Sequence, residues 1–315
     1  MQKKILITGV DGFIGSSLKN YFTSKEFQVF GTTYFKSPQN EREIHFDITQ
    51  DDCIFKLWRD ENFETIIHTI GLVDQTKPFS EMYAVNAQGT KYICDYAKNT
   101  NCKHLIFTGS VSAYGLKVMG ENRAEKIKIK TKNLLLTPYG RSKAIAEQII
   151  EKSGLNYTII RLPIVLGSND TFITPSILPK ILDNTIFSCG ETKRKISLLY
   201  VDNLGSLMEA LINLGPINQS VNCISDSIFW EDLVKEFAIN LGREYNPEHK
   251  SKFSIFTNAN NKDYQFIASY SAFGAHYLSN TLSELLGDWS APYNWKDGVK
   301  EAVENYIAQN DEKNI

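Results

Sequence analysis

A chain of 315 residues, 42% apolar and 22% charged, is long enough for one large domain or for a large domain carrying a smaller lobe, and its composition is that of an ordinary globular protein. A net charge of −2 gives no reason to expect a polyanionic partner, which argues against nucleic acid. No apolar stretch approaches membrane-spanning or signal-core length, so no membrane partner is expected. Five scattered cysteines without a CxxC pair and five dispersed histidines suit reduced thiols and no metal site, the pattern of a cytoplasmic protein.

Lys4 to Thr8 is a short β-rich run that ends in a glycine loop. Phe13 to Lys25 reads as a helix, with Ile14, Leu18, Tyr21 and Phe22 on one face. Phe27 to Thr33, Ile44 to Ile48 and Thr65 to Thr69 read as further strands, and Phe79 to Lys98 has helical spacing. Lys103 to Thr108 reads as a strand, Tyr139 to Lys152 as a helix and Tyr157 to Arg161 as a strand. This alternation predicts an α/β fold with a doubly wound parallel sheet, which binds ligands at the carboxyl ends of its strands. Glu121 to Thr137 breaks the rhythm: Lys126, Lys128, Lys130 and Lys132 alternate with Ile127 and Ile129, a solvated loop or edge ribbon in preference to an anionic-ligand clamp. From about Thr171 the alternation loosens, and Trp230 to Leu241 is the clearest helix there.

The loop Thr8-Gly9-Val10-Asp11-Gly12-Phe13-Ile14-Gly15 lies between the first strand and the first helix. Gly9 permits a tight turn, Gly12 lets backbone approach a pyrophosphate, and Gly15 lets the helix pack on the strand. The helix N-terminus presents free N–H groups to the phosphates. The spacing is one residue wider at its start than GxGxxG, but its place after the first strand marks a nicotinamide-dinucleotide loop in a Rossmann-type sheet. Residues 1–170 are then the dinucleotide-binding domain. Residues 171–315 form mainly a smaller mixed α/β substrate-binding lobe, with some segments returning to the main sheet.

An acid that holds the adenosine ribose is expected about 20 residues past the loop. The second strand instead ends Gly31-Thr32-Thr33-Tyr34, with Lys36 as the nearest charge. No carboxylate there repels a 2′-phosphate and Lys36 is placed to pair with one. Of NADP and NAD, this leans toward NADP, an ordinary surface lysine being the competing reading.

On a helix, Tyr139 and Lys143 share a face. A tyrosine of ordinary pKa is a poor proton carrier at neutral pH, and bringing it near neutrality takes about 4 kcal/mol of differential stabilisation. A lysine ammonium and an oxidised nicotinamide, both cations in a partly desolvated cleft, can supply that. Ser110 follows a predicted strand, so its hydroxyl can enter the same cleft. The implied reaction is hydride transfer between nicotinamide C4 and a carbinol or carbonyl carbon. Tyr139 moves the proton, Ser110 polarises the oxygen, and Lys143 tunes Tyr139 and holds the nicotinamide ribose.

Over roughly residues 3–240 the motifs in order resemble the extended short-chain dehydrogenase/reductase family, chiefly its nucleotide-sugar enzymes. The loop at 8–15 resembles its cofactor loop, and Phe46-Asp47-Ile48 its adenine-contacting acid after the third strand. Thr69-Ile70-Gly71 lies where the family has a turn against the cofactor, and Asn86 resembles its structural asparagine. Gly109-Ser110-Val111-Ser112-Ala113-Tyr114-Gly115 resembles the catalytic-serine segment, and Tyr139-Gly140-Arg141-Ser142-Lys143 is the YxxxK motif. Arg161-Leu162-Pro163 with Gly167, and Tyr200-Val201-Asp202-Asn203-Leu204, match two later motifs. The resemblance implies Ser110, Tyr139 and Lys143 as catalytic residues. It implies cofactor contacts from Gly9, Asp11, Gly12, Phe13, Ile14, Gly15, Thr33, Lys36, Asp47, Ile48, Thr69, Ile70, Gly71, Asn86, Leu162 and Pro163, besides Tyr139 and Lys143. For substrate it implies Ser110, Ser112, Tyr139 and Lys195, the last among the cations Lys193, Arg194 and Lys195 near which the family often places a substrate diphosphate.

Departures from the family narrow the reaction. Its dehydratases and decarboxylases carry an acid just after the catalytic Ser/Thr, where this chain has Val111 and Ser112, so elimination lacks its proton carrier. The connection from the second strand to Asp47 has little room for a helix, as in the branch of dTDP-4-dehydrorhamnose reductases, although that branch's Thr-Asp-Tyr segment is absent. The expected activity is reduction of a 4-keto-6-deoxy nucleotide sugar, with a 4-epimerase using tightly bound NAD as the alternative. A dinucleotide-binding regulatory subunit without turnover is the alternative of another class, disfavoured by the intact Ser110, Tyr139 and Lys143. The resemblance also implies a homodimer through the helices at 79–98 and 139–152, with Ala144, Ile145, Gln148 and Ile149 at the contact.

Overall fold

The computed structural model describes residues 3–50, 58, 61–74, 76–123, 125, 137–191, 193–258, 261–287 and 289–311. Cys53 and positions 126 to 136, most of the stretch expected as a loop or edge ribbon, therefore lie outside the described residues. In chain order the strands are β1 (Lys3–Thr8), β2 (Phe27–Thr33), β3 (Glu43–His45), β4 (Thr65–His68), β5 (His104–Ser110), β6 (Gly120–Arg123) and β7 (Tyr157–Leu162). They continue with β8 (Ile164–Leu166), β9 (Phe187–Cys189), β10 (Lys195–Tyr200), β11 (Ser220–Asn222), β12 (Asp226–Phe229), β13 (Glu248–Lys250) and β14 (Ala275–Tyr277). The helices are α1 (Phe13–Thr23), α2 (Phe79–Met82), α3 (Gly89–Asn99), α4 (Pro138–Glu151), α5 (Ile173–Leu182) and α6 (Asn203–Leu214). After them come α7 (Trp230–Asn240), α8 (Ser254–Thr257), α9 (Lys262–Phe273), α10 (Asn280–Leu286) and α11 (Trp295–Asp311).

Seven strands form one sheet in the order β11-β7-β5-β4-β1-β2-β3, every pairing parallel. Ile5, Leu6 and Ile7 of the central strand are wholly buried, because helices cover both faces. Alternation of side chains along β1 sends Ile5 and Ile7 to one core with Leu18 and Phe22 of α1 and Leu207 and Met208 of α6. Leu6 goes to the other core, with Ile93 and Ala97 of α3 and Ala146 and Ile150 of α4. Each such fully buried large side chain is worth roughly 1.5–3 kcal/mol of transfer free energy. Strand order runs outward from β1 in both directions, so the switch point lies between β1 and β4, where a doubly wound sheet opens its ligand crevice. The connection from β2 to β3 contains no helix.

The smaller unit is built on the path β12-β10-β14-β6, with β8 joined to β10, and one of its pairings (β10 with β12) is antiparallel. Its core gathers Trp230, Phe237, Ile267 and Val299 from α7, α9 and α11 around Ile196 and Leu198 of β10. A two-stranded ribbon pairs β9 with β13. Among the elements not foreseen are β11, three residues long and too short to show a period, and β6, which falls at the start of the polar stretch expected as a loop or ribbon. No helix among the described residues is long and apolar enough to cross a membrane.

Candidate active site

The loop after β1 is shaped by its glycines. Gly9 has φ +76°, a left-handed conformation that favours glycine, and its N–H donates to Thr32 Oγ1 at 2.9 Å. A Cβ on Gly15 would lie 2.0 Å from the Gly9 carbonyl oxygen, so only glycine lets α1 start this close to β1. Gly12 caps α1 without a side-chain hydrogen bond, which leaves the first-turn N–H groups of the helix, beginning at Phe13 and Ile14, facing outward. That cradle, at the positive end of a helix dipole, fits the pyrophosphate of a dinucleotide. Asp11 turns its carboxylate to the backbone that follows β2: its Oδ2 accepts the N–H groups of Tyr34, Phe35 and Lys36 at 2.8, 2.6 and 3.0 Å.

Across the switch point, Thr69 Oγ1 donates to the Thr8 carbonyl at 2.5 Å, and Ile70 would meet any Cβ on Gly9 at 3.0 Å. A π-helical segment, Tyr83–Gln88, links α2 to α3 where the sequence pattern predicts an unbroken helix. The wider turn sets Asn86 against the 71–72 backbone: its Oδ1 accepts the Leu72 N–H at 2.7 Å, and its Nδ2 donates to the Leu72 carbonyl and to Ser142 Oγ at 3.0 and 2.8 Å. Ser142 Oγ in turn donates to the Tyr139 carbonyl at 2.8 Å, so the turn at Gly71 is fixed to α4. A Cβ on Gly71 would lie 2.9 Å from Lys143 Nζ, which shows how closely this backbone covers the ammonium.

Helix α4 begins at Thr137, whose Oγ1 caps the Gly140 N–H at 3.0 Å, with Pro138 in the first turn. The cap brings Tyr139 and Lys143 beside the carboxyl end of β5. Lys143 Nζ donates to the Thr108 carbonyl at 3.1 Å and sits 4.8 Å above the Phe107 ring. Burial holds its pKa down to about 8, opposed by the charge of Glu147 one turn on. Ser110 ends β5 directly opposite Leu162 of β7, which puts Leu162 and Pro163 at the same edge. Ser110 Oγ accepts the Ser112 N–H at 3.1 Å, and its hydroxyl acts on the Tyr139 phenol. Burial pushes the Tyr139 phenol up to about 12, and Ser110 works against it. In the free chain Tyr139 is thus a weaker acid than in water, and Lys143 makes its hydrogen bond to Thr108 rather than to the phenol.

Asp47 turns its carboxylate onto its own loop, accepting from the Thr49 N–H and Oγ1 at 2.9 and 2.7 Å and from Gln50 Nε2 at 3.1 Å. Burial acts to raise its pKa, but these hydrogen bonds outweigh it and hold the carboxyl below its usual value. Ile48 is buried and packs against Gly89, while Thr33 is buried at the end of β2 with its Oγ1 directed to the Ile44 carbonyl. Lys36 is exposed. Lys195 stands apart: it opens β10, its N–H donates to Glu121 Oε1 at 3.0 Å, and it makes no hydrogen bond or ion pair to Ser110, Tyr139 or Lys143. Its neighbour Lys193 lies 3.4 Å from Asp232. The motif at 200–204 joins the two units instead, since Asp202 accepts from Ser17 of α1 at 2.9 Å and Asn203 bonds the backbone of Tyr293.

The sequence profile of the NAD dependent epimerase/dehydratase family matches residues 5–223. The chain belongs to that family. As a member of it, the chain is 24% identical over 341 aligned positions to the UDP-glucose 4-epimerase of Vibrio cholerae, with 98% of this chain and 97% of that protein covered. It is 26% identical over 259 residues to a dTDP-D-glucose 4,6-dehydratase of Dictyostelium discoideum, covering 71% of this chain but 58% of that protein. Against the trifunctional dehydratase/epimerase/reductase RHM2 of Arabidopsis thaliana the match, 24% identical, spans 96% of this chain and about half (47%) of the relative. Among solved structures, the NAD+-bound enzyme WbmH of Bordetella bronchiseptica is similar with a TM-score of 0.79 at 17% identity, covering 98% and 99% of the two chains. The UDP-glucose-bound UDP-glucose 4-epimerase of Thermotoga maritima gives 0.75 at 18% identity, covering 97% and 99%. At these identities the structural likeness is one of fold.

Sequence reasoning passed over His68, which the fold buries beneath this edge. Thr90 Oγ1 donates to the Asn86 carbonyl at 2.6 Å and so can only accept from His68 Nε2, at 3.1 Å. Thr8 Oγ1 accepts the Thr69 N–H and donates to Nδ1 at 2.8 Å. The ring is therefore a neutral Nε2–H tautomer. Burial, and then the charge of Lys143, hold His68 down to about 3, and burial holds His104 down to about 4. The unfolded chain protonates both near pH 6.5. Between about pH 6.5 and the folded values it binds more protons than the native state, so stability falls as pH falls through that window. Each histidine contributes on the order of 1.4 kcal/mol per pH unit there. Urea unfolding series from about pH 7 to 4.5 should show a steeper loss for the wild type than for His68→Gln. Equal slopes would remove His68 from the account.

Proposed function

We propose that this chain is a nucleotide-sugar 4-epimerase working with NAD, and that Ser110, Tyr139 and Lys143 carry its chemistry. The observation that carries the reading is the meeting of Ser110, at the end of β5, with Tyr139 and the buried Lys143 of α4, at the edge where the glycine loop opens. Because Ser110 Oγ already accepts the Ser112 N–H, its own proton is free to donate to a sugar oxygen. Tyr139 takes the proton from the sugar hydroxyl and returns it, and Lys143, fixed by Thr108, supplies the positive potential that favours the phenolate. The fully conjugate role is simple: when bound, the nicotinamide ring supplies the hydride acceptor and donor. Val111 and Ser112 stand where an elimination reaction would need an acid, which supports redox chemistry without loss of water.

The full-length match to a 4-epimerase supports epimerisation first. Reduction of a 4-keto-6-deoxy nucleotide sugar is the second reading, and the helix-free link from β2 to β3 favours it. Incubating the protein with NAD+ and a panel of UDP- and dTDP-hexoses should give the 4-epimer by NMR without net NADH. Stoichiometric consumption of NAD(P)H with a 4-keto sugar would establish the second reading instead. Neither product from either panel would refute both. Free thiols at Cys94, Cys102, Cys189 and Cys223 support a cytoplasmic setting. A homodimer through α3 and α4 would use Ile145, Gln148 and Ile149, which keep partial exposure; Ala144, expected among them, is fully buried inside the chain and cannot reach a partner.

A further inference from the structure

The geometry points to Asp11 as the residue that selects the adenosine ribose, admitting its free 2′-hydroxyl and excluding a 2′-phosphate, so that the chain takes NAD and not NADP. This deepens the dinucleotide reading above and rests on it.

Three consecutive backbone N–H groups, of Tyr34, Phe35 and Lys36, converge on one oxygen of Asp11. Successive amides aimed at one point make an anion-binding nest. This nest sits directly after β2, where a Rossmann sheet handles the ribose hydroxyls or the 2′-phosphate. In this chain an internal carboxylate fills it. Asp11 Oδ1 has no hydrogen-bond partner among the described residues, so it remains available to accept from a ribose hydroxyl. A 2′-phosphate would meet a fixed negative charge and would find the loop amides already engaged. Lys36 offers little compensation: its amide belongs to the nest, while its side chain is exposed and makes no ion pair among the described residues. The acid missing from the end of β2 is thus delivered from the glycine loop, 23 to 25 positions earlier than the amides it binds.

Isothermal titration calorimetry of the full chain with NAD+ and with NADP+ tests this without turnover. The wild type should bind NAD+ at least about tenfold more tightly than NADP+. Asp11→Asn keeps an oxygen for the nest but removes the charge, and Asp11→Ser vacates most of the nest; each should shift the ratio toward NADP+ by about tenfold or more. Thermal midpoints without ligand identify a variant that has lost its fold, and the other variant then decides. Equal affinities in the wild type, or a ratio unmoved in the folded variants, would overturn the inference and leave the dinucleotide reading intact. Tighter NADP+ binding that disappears in Lys36→Ala would overturn it in favour of Lys36. Binding of neither dinucleotide would overturn both.

Discussion

Tyr139→Phe is expected to lower kcat by about a thousandfold or more while the NAD+ dissociation constant changes by less than about threefold. The substitution keeps the ring, which is buried at 9% exposure against the carboxyl edge of the sheet, and deletes only the hydroxyl on which Ser110 acts. The open amides at the start of α1 and those held by Asp11 are untouched, so cofactor affinity should survive. Ser110 is left with a proton to donate but no group to receive one, since its oxygen serves the Ser112 N–H. Because burial holds the free phenol up at about 12, the wild-type rate should also rise with pH as Lys143 and bound cofactor draw the phenolate out. Turnover retained in the Phe variant would take Tyr139 out of the chemistry. Loss of NAD+ binding along with turnover would make it a binding residue.

Arg161→Met is expected to cost about 3–5 kcal/mol of stability, seen as a fall in Tm on the order of 10 °C. Arg161 donates from Nε to both Glu147 oxygens at 3.2 and 3.1 Å and from Nη2 at 2.8 Å, and both residues are almost wholly buried. Burial works against the guanidinium charge, but Glu147 and Tyr114 outweigh it and its pKa rises. Nη1 adds a bond to the Tyr114 hydroxyl at 3.0 Å, which donates to Asn222 Oδ1 at 2.8 Å. Removing the cation leaves a buried carboxylate without its hydrogen-bonded partner beneath β5, where a Cβ on Gly109 would be only 2.9 Å from Glu147 Oε1. The double variant Arg161→Met with Glu147→Leu should recover most of the loss, because an apolar pair of similar size avoids the desolvation penalty altogether. If the single variant melts like the wild type, the ion pair is not what holds α4 on the sheet.

Strands and helices of the parallel sheet were legible because β-formers and helical periods alternate cleanly as far as Tyr157. The π-helical widening at Tyr83–Gln88 was not, since one extra residue per turn hardly disturbs an apolar period; only its effect on Asn86 reveals it. Ser110, Tyr139 and Lys143 were legible as residue types at a spacing, and the fold brings the three together. Glu147 stands one turn past Lys143 and could have been found from that spacing, whereas its partner Arg161 comes from another strand. His68 carried no signal, because a lone histidine in a strand has no period to betray two threonine partners distant in sequence. Asp11 was seen as part of a loop, but its bond to the next strand's amides is a tertiary fact. Lys195, expected as a substrate contact from its place near a motif, opens a strand of the smaller sheet, where its N–H donates to Glu121.

The path of the chain between its two sheets has a practical consequence. It leaves the large sheet for β6, returns for β7, leaves again through β8 and β10, and comes back once more to lay α6 and β11 on the edge. A fragment cut at residue 170 would therefore expose the apolar face that Leu204, Leu207, Met208 and Leu211 cover, and would forfeit an edge strand. The two units are interwoven rather than joined by a hinge, so a load on the smaller one is carried by the same backbone that frames the edge strands of the larger.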